Sequence, residues 1–283
     1  MTGGAIVSAD ALRDGLDSND SLVLLDARTD RASYDAGHLP GARFADSDTQ
    51  LSSAGQPSAD PVHGGRHPLP DLEQWCRTVG EWGITPSTNV VVYDDQEGAI
   101  AATRAWWMLR AIGHERVAVL DGGLASAVAA GIPLTTASPV VSPQPPYPAR
   151  GWSLSLVDID AVDQLRTDPA WRVLDVRSAP RFAGKEEPLD PIAGHIPGAV
   201  NLPYPENLAG GTFKAPDELR AMYEKLLAGT SADHLVVHCG SGVTACHTLL
   251  ALEIAGMHGA SLYVGGWSEW CRSPRPRATD EEG

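Results

Sequence analysis

The sequence predicts an α/β protein built as two tandem domains, each a parallel sheet flanked by helices. Three observations lead to this class: an internal duplication, an alternation of short apolar runs with longer helical patterns, and a proline-rich segment between the two copies. Parallel strands need crossover connections, and the helical patterns supply them. We therefore expect domains at 1–136 and 153–272, a linker at 137–152 and a flexible tail at 273–283.

The duplication is visible in paired segments that occur in the same order in both halves. Each copy carries Asp-x-Arg after an apolar run, followed by Gly-His-x-Pro-Gly-Ala. The pairs are Leu24–Ala42 with Val173–Ala199, Val90–Gly98 with Leu235–Gly242, and Trp106–Gly123 with Leu249–Gly266. Such pairing predicts that both halves share one fold.

Short β-branched runs mark the strands of each copy. The strand candidates are Leu22–Leu25, Val90–Tyr93, Val117–Leu120, Val173–Val176, Leu235–His238 and Ser261–Val264. A helix is predicted at Pro216–Leu227, which begins with Pro-Asp-Glu and carries apolar residues at helical spacing. Ligands of parallel sheets lie beyond the carboxyl ends of the strands, so the residues that follow each strand are candidate site residues.

Composition and charge restrict the possible partners. The chain has 283 residues, is 43% hydrophobic and carries a formal net charge of -15. This acidic balance argues against nucleic acid or an anionic membrane, because both need positive groups on the protein. The sequence shows no secretory signal and no apolar run of ~20 residues, and its excess acids are expected to form a solvated surface. Four cysteines without a Cys-x-x-Cys pair favour a reducing, cytoplasmic setting.

The segment VVHCGSGVTACH contains the strongest candidate site. It predicts an apolar strand, then a glycine-rich turn headed by Cys239, then a helix. Two interpretations lack a residue that they need. The stretch from Gly240 to Ala245 fits the dinucleotide pattern G-x-G-x-x-A, but no acidic residue ends the next strand. A cysteine-dependent phosphatase needs an arginine at the position of Ala245.

Three other interpretations of this turn remain. A metal site would use His238, Cys239, Cys246 and His247. Its first two residues are neighbours on a strand, whose side chains point to opposite faces. A persulfide cradle would use the amides of residues 240–244 and the helix N-terminus, which favour a thiolate and a negative outer sulfur. The last interpretation is a buried structural cysteine, which we also expect for Cys76, Cys246 and Cys271.

Together these motifs resemble the two-domain sulfurtransferases of the rhodanese family, which includes thiosulfate and 3-mercaptopyruvate sulfurtransferases. The resemblance covers roughly Leu22–Cys271 and rests on the paired segments, on GRHPLP at Gly65–Pro70, on LDGG at Leu120–Gly123 and on CGSGVTA. It implies two rhodanese-like domains, the second catalytic and the first inactive. In the first copy, Asp94 stands where the second has Cys239.

The resemblance also implies the catalytic residues. The loop CGSGVTA is similar to that of the mercaptopyruvate branch of the family. Within it, Ser241 matches a serine that assists Cys239. Asp48 and His67 match a pair that the first domain lends to this serine.

Donor binding is expected at one arginine and at the turn. Arg181 matches an arginine that binds the donor's carboxylate or sulfonate, whereas Leu189 stands where some mercaptopyruvate enzymes have a second one. The remaining expected donor-binding residues are Gly240, Gly242, Val243 and Thr244. Residues that recur in both copies, including the inactive one, are expected to be structural. These are His38, His195 and the pairs Asp26–Arg28 and Asp175–Arg177.

The expected function is transfer of sulfane sulfur from thiosulfate or 3-mercaptopyruvate, through a Cys239 persulfide, to cyanide or a thiol such as thioredoxin. No metal or organic cofactor is implied, and neither nucleic acid nor a membrane is expected as a partner. The expected assembly is a monomer or a weak homo-oligomer. The alternative from another class is a non-catalytic sulfur carrier or scaffold that keeps the fold; a phosphatase and a dinucleotide binder remain further alternatives.

Overall fold

The computed structural model describes residues 4–16 and 21–280, which form two compact units. The first unit comprises the described residues within Met1–Ser53, Pro70–Ser153 and Gly210–Phe213. The second comprises those within Ala54–Leu69, Leu154–Ala209 and Lys214–Gly283. Each half of the chain thus contributes a segment to the unit formed mainly by the other half. The boundaries at 1–136 and 153–272 remain a prediction.

The first unit contains a five-stranded sheet in the order β1-β5-β4-β2-β3, with every neighbouring pair parallel. Its strands are β1 (Ile6–Val7), β2 (Leu22–Asp26), β3 (Arg43–Phe44), β4 (Asn89–Tyr93) and β5 (Val117–Leu120). Its helices are α1 (Ala9–Leu16), α2 (Arg31–Ala36), α3 (Leu72–Glu81), α4 (Ala101–Ala111) and α5 (Gly123–Ala129). All residues of the central strand β4 are buried, as expected for a parallel strand covered on both faces.

The second unit repeats this plan with a four-stranded parallel sheet in the order β11-β10-β6-β7. Its strands are β6 (Arg172–Asp175), β7 (Val200–Asn201), β10 (Leu235–His238) and β11 (Ser261–Leu262). Its helices are α6 (Ile159–Leu165), α7 (Ala179–Phe182), α8 (Pro216–Leu227), α9 (Thr244–Ile254) and α10 (Gly266–Trp270). Short strands β8 (Leu208–Ala209) and β9 (Thr212–Phe213) and 3₁₀ turns at Tyr204–Asn207 and Ala232–His234 complete the described elements.

The α/β fold class is confirmed, and several elements agree with their predicted bounds. The strands β5 and β10 and the helix α8 begin and end at the predicted residues. Strand β11 ends two residues earlier than predicted, at Leu262. The apolar run continues through Tyr263, which is buried and whose amide still donates to the Val237 carbonyl oxygen of β10 at 3.0 Å.

The two Asp-x-Arg pairs brace their sheets, which confirms their predicted structural role. Arg28 Nη2 donates to Asp26 Oδ2 and to the carbonyl oxygen of Gly37, both at 2.7 Å. In the second unit, Arg177 Nη2 donates to Asp175 Oδ2 at 2.6 Å and to the Gly194 carbonyl oxygen at 2.7 Å. Each arginine therefore ties the end of a strand to the loop that crosses it.

The two recurring histidines are also structural. The Nδ1 atom of His38 lies 2.9 Å from the carbonyl oxygen of Tyr34, and that of His195 lies 2.8 Å from the carbonyl oxygen of Phe182. Each imidazole stacks on the ring of the residue that it bonds, at centroid distances of 4.0 and 3.8 Å. Both histidines therefore stabilise the turn that precedes Pro-Gly-Ala in their units.

The linker and the tail both make backbone hydrogen bonds. The linker residue Tyr147 is buried in the first unit, and its amide donates to the Cys76 carbonyl oxygen at 2.9 Å. In the tail, Ala278 and His195 exchange two backbone hydrogen bonds at 2.8 and 3.0 Å, and the flexibility of 273–283 stays a prediction. Residues 281–283 lie outside the described residues. Within 4–16 and 21–280, no helix is long and apolar enough to span a membrane.

Candidate active site

Cys239 follows β10 directly and heads the loop that leads into α9. Its side chain is buried. Gly242 gives the loop its shape, with a φ of 73°. A side-chain carbon on Gly242 would lie 2.6 Å from the carbonyl oxygen of Val264, so the turn requires glycine for both conformation and space. The sequence prediction of a strand, a tight turn and a helix is confirmed here.

Helix α10 fixes the direction of the loop peptides. The amides of Trp267 and Ser268 donate to the carbonyl oxygens of Cys239 and Gly240, each at 2.8 Å. In a trans peptide the N–H points opposite to the C=O, so the amides of Gly240 and Ser241 point away from α10. This orientation supports the cradle interpretation, although the grip of residues 240–244 on a sulfur stays a prediction.

The structure brings two of the predicted catalytic side chains together beside Cys239. The hydroxyl oxygen of Ser241, a buried residue, lies 2.7 Å from Nδ1 of His67. Although His67 comes from the first half of the sequence, it belongs to the second unit through the segment Ala54–Leu69. Asp48 belongs to the first unit, where its amide donates to Asp46 Oδ1 at 2.9 Å. The proposed part of Asp48 in catalysis therefore stays a prediction.

Two guanidinium groups approach the turn at Gly240. A side-chain carbon on this glycine would lie 3.0 Å from Nη2 of Arg66 and 3.5 Å from Nη2 of Arg181. Both arginine side chains are partly accessible, 21% and 15% exposed. Arg181 was predicted from the sequence, whereas Arg66 was missed. The available signal was its position immediately before His67 in GRHPLP.

A buried carboxylate holds Arg181. Glu187 Oε1 accepts from Arg181 Nη2 at 2.6 Å, and Glu187 Oε2 accepts from Arg177 Nη1 at 3.1 Å. The amides of Leu189 and Asp190 also donate to Glu187 Oε1, at 3.1 and 3.2 Å. The acidic segment KEEPLD is thus partly internal, so Glu187 is an exception to the expected solvated surface of acids.

A second buried carboxylate holds Arg66. Asp190 pairs with Nη1 of Arg66 and, at 2.8 Å, with Nη1 of Arg272, and its side chain is 0% exposed. Burial opposes its charge, but the hydrogen bonds from Arg66 and Arg272 prevail and lower the pKa of Asp190. This carboxylate is therefore ionised at neutral pH and keeps Arg66 in place.

His238 lies directly under the cysteine and is fully buried. Its Nδ1 is 3.1 Å from the Cys239 carbonyl oxygen, and its Nε2 is 3.9 Å from Asp175 Oδ2. Burial lowers the pKa of His238, even with Asp175 nearby. The imidazole is therefore neutral at neutral pH, so the positive charge near Cys239 comes from arginines.

The competing interpretations of the turn gain no support from the geometry. Ala245, at the position of the phosphatase arginine, is fully buried at the start of α9. Glu269, the first acid after β11, accepts from the Gly64 amide at 2.9 Å. Among the described residues, no group of three or more His, Cys, Asp and Glu is arranged to hold a metal ion.

Comparisons with known proteins agree with this geometry. The Rhodanese-like domain family matches residues 8–130 and 158–273. A probable 3-mercaptopyruvate sulfurtransferase of Pseudomonas aeruginosa is 42% identical over 251 residues, which cover 88% of this chain and 86% of that protein. A putative thiosulfate sulfurtransferase of Mycobacterium tuberculosis is 38% identical over 292 residues, covering 96% of this chain and 95% of that protein.

A solved structure is similar over nearly the whole chain. The Escherichia coli protein, described as showing the rhodanese fold and catalytic mechanism of 3-mercaptopyruvate sulfurtransferases, superposes with a TM-score of 0.76 at 33% identity. The match covers 93% of this chain and 99% of that one. Both halves match one domain family, and the cysteine-headed loop lies in the second match, so the chain belongs to the rhodanese family.

Proposed function

We propose that this chain is a sulfurtransferase that carries sulfane sulfur on Cys239. The Cys239 thiolate attacks the outer sulfur of the donor and forms a new S–S bond. With thiosulfate the old S–S bond breaks and sulfite leaves with its electron pair. With 3-mercaptopyruvate the C–S bond breaks, and the pyruvate enolate leaves and takes a proton at carbon. A nucleophilic acceptor then removes the outer sulfur and restores the thiolate.

The observation that carries this proposal is the neighbourhood of Cys239. The cysteine heads a turn whose next serine, Ser241, lies 2.7 Å from His67. Two guanidinium groups lie over the adjacent Gly240. A nucleophile, a hydroxyl with a histidine partner and an anion-binding group are what transfer from an anionic donor needs.

Within this mechanism the predicted residues receive definite roles. Arg181 binds the donor's carboxylate or sulfonate. The amides of Gly240, Gly242, Val243 and Thr244 hold the negative outer sulfur of the persulfide. Ser241, assisted by His67 and Asp48, donates a hydrogen bond to the donor's carbonyl or leaving group. The proposed catalytic residues are therefore Cys239, Ser241, Asp48 and His67.

Donor choice follows from charge and from the donor's carbonyl. The loop from Cys239 to Ala245 has no side-chain cation of its own, and the two arginines at Gly240 can bind the anionic end of either donor. Only 3-mercaptopyruvate also has a carbonyl that can use Ser241. We therefore propose that both donors react and that 3-mercaptopyruvate has the higher kcat/KM, by about tenfold or ~1.4 kcal/mol. Sulfurtransferases of both names are among the relatives.

The acceptor and setting are proposed from the same chemistry. A small thiol, thioredoxin or, in vitro, cyanide would take the sulfur. All four cysteines are buried and none is in a disulfide bond, which fits a reducing, cytoplasmic compartment. We propose a monomer or a weak homo-oligomer, with no nucleic acid or membrane as partner.

Intact-mass measurement tests the proposal and separates it from a non-catalytic scaffold. Exposure to either donor should add one sulfur atom to the wild-type chain and to Cys76→Ser, but none to Cys239→Ser. Cyanide should then remove the sulfur and yield thiocyanate. A wild-type chain that gains no sulfur from either donor would be a scaffold, and one that gains sulfur without passing it on would be a carrier.

A further inference from the structure

The two guanidinium groups over Gly240 differ in origin. Arg181 lies in α7, whereas Arg66 precedes His67 on the segment Ala54–Leu69. Their Nη2 atoms would lie 3.0 and 3.5 Å from a side-chain carbon on Gly240, so they approach the same point of the turn. Each arginine has one side fixed by a buried acid and remains partly accessible.

The acids that fix these arginines do not cancel their charge. The four arginines Arg66, Arg177, Arg181 and Arg272 are paired with the three carboxylates Asp175, Glu187 and Asp190. One positive charge therefore remains in this cluster before the charge of the Cys239 thiolate is counted. Arg177 and the three acids are buried, whereas Arg66 and Arg181 are partly exposed and approach Gly240. An anion next to Cys239 would be attracted to them.

Leu189 stands where, by the family resemblance, some mercaptopyruvate enzymes have a second donor-binding arginine. Its side chain is apolar and 59% exposed, and so it offers no donor to an anion. The neighbouring residue Asp190 nevertheless reaches into the site and pairs with Arg66. The segment that lacks its own arginine thus supplies the carboxylate that positions another one.

We propose that Arg66 is the second donor-binding arginine of this protein and sets its preference among anionic donors. Arg66 and Arg181 together hold the carboxylate of 3-mercaptopyruvate, or the sulfonate end of thiosulfate, next to Gly240. Two guanidinium groups fix an oxyanion by directed N–H···O bonds more firmly than one does. This inference rests on the proposed function and adds a specificity-determining residue to it.

Arg66 directly precedes His67 in the chain, and this has a second consequence for donor binding. His67 contacts the Ser241 hydroxyl, so the anion-binding residue and the residue that orients this hydroxyl are consecutive in the chain. An anchored donor would therefore be aligned with Ser241 by one short backbone segment. The charge of Arg66, and not only its bulk, should then be required for donor binding.

Steady-state kinetics of Arg66→Gln and Arg66→Lys, beside the control Arg272→Gln, test the proposal. Arg272 shares the carboxylate of Asp190, but the three atoms nearest to a side-chain carbon on Gly240 belong to Arg66 and Arg181. We expect Arg66→Gln to lower kcat/KM for 3-mercaptopyruvate roughly 10- to 100-fold, mainly through the donor KM, because a charge-assisted hydrogen bond is lost. Arg66→Lys should lose less, and the KM for the acceptor should stay unchanged in all three variants.

A rescue variant sharpens the test. Leu189→Arg in the Arg66→Gln background should recover at least half of the lost kcat/KM on a logarithmic scale. Leu189→Arg in the wild-type background should change kcat/KM little. Equal losses in Arg66→Gln and Arg272→Gln, or equal changes in donor and acceptor KM, would show that Arg66 acts only structurally and would overturn the proposal.

Donor binding without turnover separates this proposal from the proposed function. In the Cys239→Ser background, calorimetry with 3-mercaptopyruvate should show weaker binding when Arg66 is replaced by Gln. If the wild-type chain forms no persulfide, the proposed function fails, but this binding comparison still decides the role of Arg66. Unchanged binding would reject the anchor even if sulfur transfer is demonstrated.

Discussion

The loops after β4 and β10 occupy equivalent places in the two units but begin with different residues. Gly98 and Gly242 have φ values of 72° and 73°. A side-chain carbon on either would lie close to a carbonyl oxygen, 2.7 Å from that of Leu120 at the end of β5 and 2.6 Å from that of Val264, two residues after β11. Both turns therefore place a glycine of positive φ against the segment that follows the helix, although the first loop has one more residue before its glycine.

The two loops differ in their first residue, which is Asp94 in the first unit and Cys239 in the second. Asp94 accepts four backbone hydrogen bonds through its own carboxylate, from Gln96, Gly98, Ile100 and Ala102, at 2.8–3.1 Å. The loop of the first unit is thus an amide cradle filled by its own acid. Cys239 has no such internal anion in its side chain. The comparison teaches that the amides of this turn bind acceptor atoms, and that the head residue decides whether its own side chain occupies them or leaves them open to a transferred sulfur.

Replacement of Cys239 should have the largest effect. Cys239→Ser and Cys239→Asp should both lower sulfur transfer by at least about a thousandfold, because the nucleophile is lost. The aspartate variant copies the first loop, so its Tm should equal or exceed that of the serine variant. Activity assays and thermal melts measure both quantities.

Cys76→Ser is the matched control for these variants, since Cys76 is a buried cysteine of the first unit. It should retain transfer. Substantial activity in folded Cys239→Ser would identify another nucleophile. A Tm for Cys239→Asp well below that of Cys239→Ser would show that the second loop is not an anion cradle.

Alanine at the two equivalent glycines should separate folding from catalysis. Gly98→Ala and Gly242→Ala both force a positive φ and a close contact with a carbonyl oxygen. Each should lower the free energy of unfolding by about 3 kcal/mol. Only Gly242→Ala should also lower kcat in the remaining folded protein. A similar loss of kcat in both variants would mean that the two loops are not functionally distinct.

Removal of the Asp94 carboxylate should destabilise the first loop without affecting transfer directly. Asp94→Ala leaves the amides of Gln96, Gly98, Ile100 and Ala102 without their acceptor and should cost about 2 kcal/mol of unfolding free energy. Asp94→Asn keeps an acceptor and should cost about half as much. Urea unfolding measures both. No loss in Asp94→Ala would contradict the assigned capping role.

Much of this comparison could be predicted from the sequence, because it depends on local pattern. The sequence predicted the order of strand, turn and helix and the glycine at position 242. It also showed that Asp94 stands where the second copy has Cys239. The pairing of His67 with Ser241 agrees with what the family resemblance implied. The features of the Cys239 loop belong to motifs whose spacing is set by one turn, whereas the contact of His67 with Ser241 joins residues 174 positions apart and was implied only by the resemblance.

The charge network around the turn could not be predicted. Its acids Glu187 and Asp190 lie in KEEPLD, whose composition is typical of a solvated loop. Their burial depends on arginines from distant segments, including Arg66. Long-range pairing of this kind leaves no periodic signal in a single sequence. The filling of the first cradle by Asp94 was missed because an acid after a strand is equally compatible with solvent exposure.

Acid pH should lower the stability of the two units to different extents, and this effect should be smaller than those of the substitutions. In the second unit, burial opposes ionisation of Asp175 and Asp190, but His238, Arg177, Arg66 and Arg272 outweigh it and lower the pKa of both carboxyls. In the first unit, burial raises the pKa of Asp94. A carboxyl whose folded pKa lies below its unfolded value of ~3.9 stabilises the fold fully above that value.

This stabilisation is lost as pH falls through the lowered folded pKa. Acidification from about pH 5 to below about pH 3 should therefore weaken the second unit first, by less than the loss expected for Asp94→Ala. Hydrogen exchange should show protection falling earlier in β6 and β10 than in β2 and β4. Asp190→Asn should reduce the difference in acid sensitivity between the two units. It should also lower the free energy of unfolding at neutral pH. Earlier loss of protection in the first unit would show that its Asp94 cradle, and not the arginine network of the second unit, is the more acid-sensitive of the two.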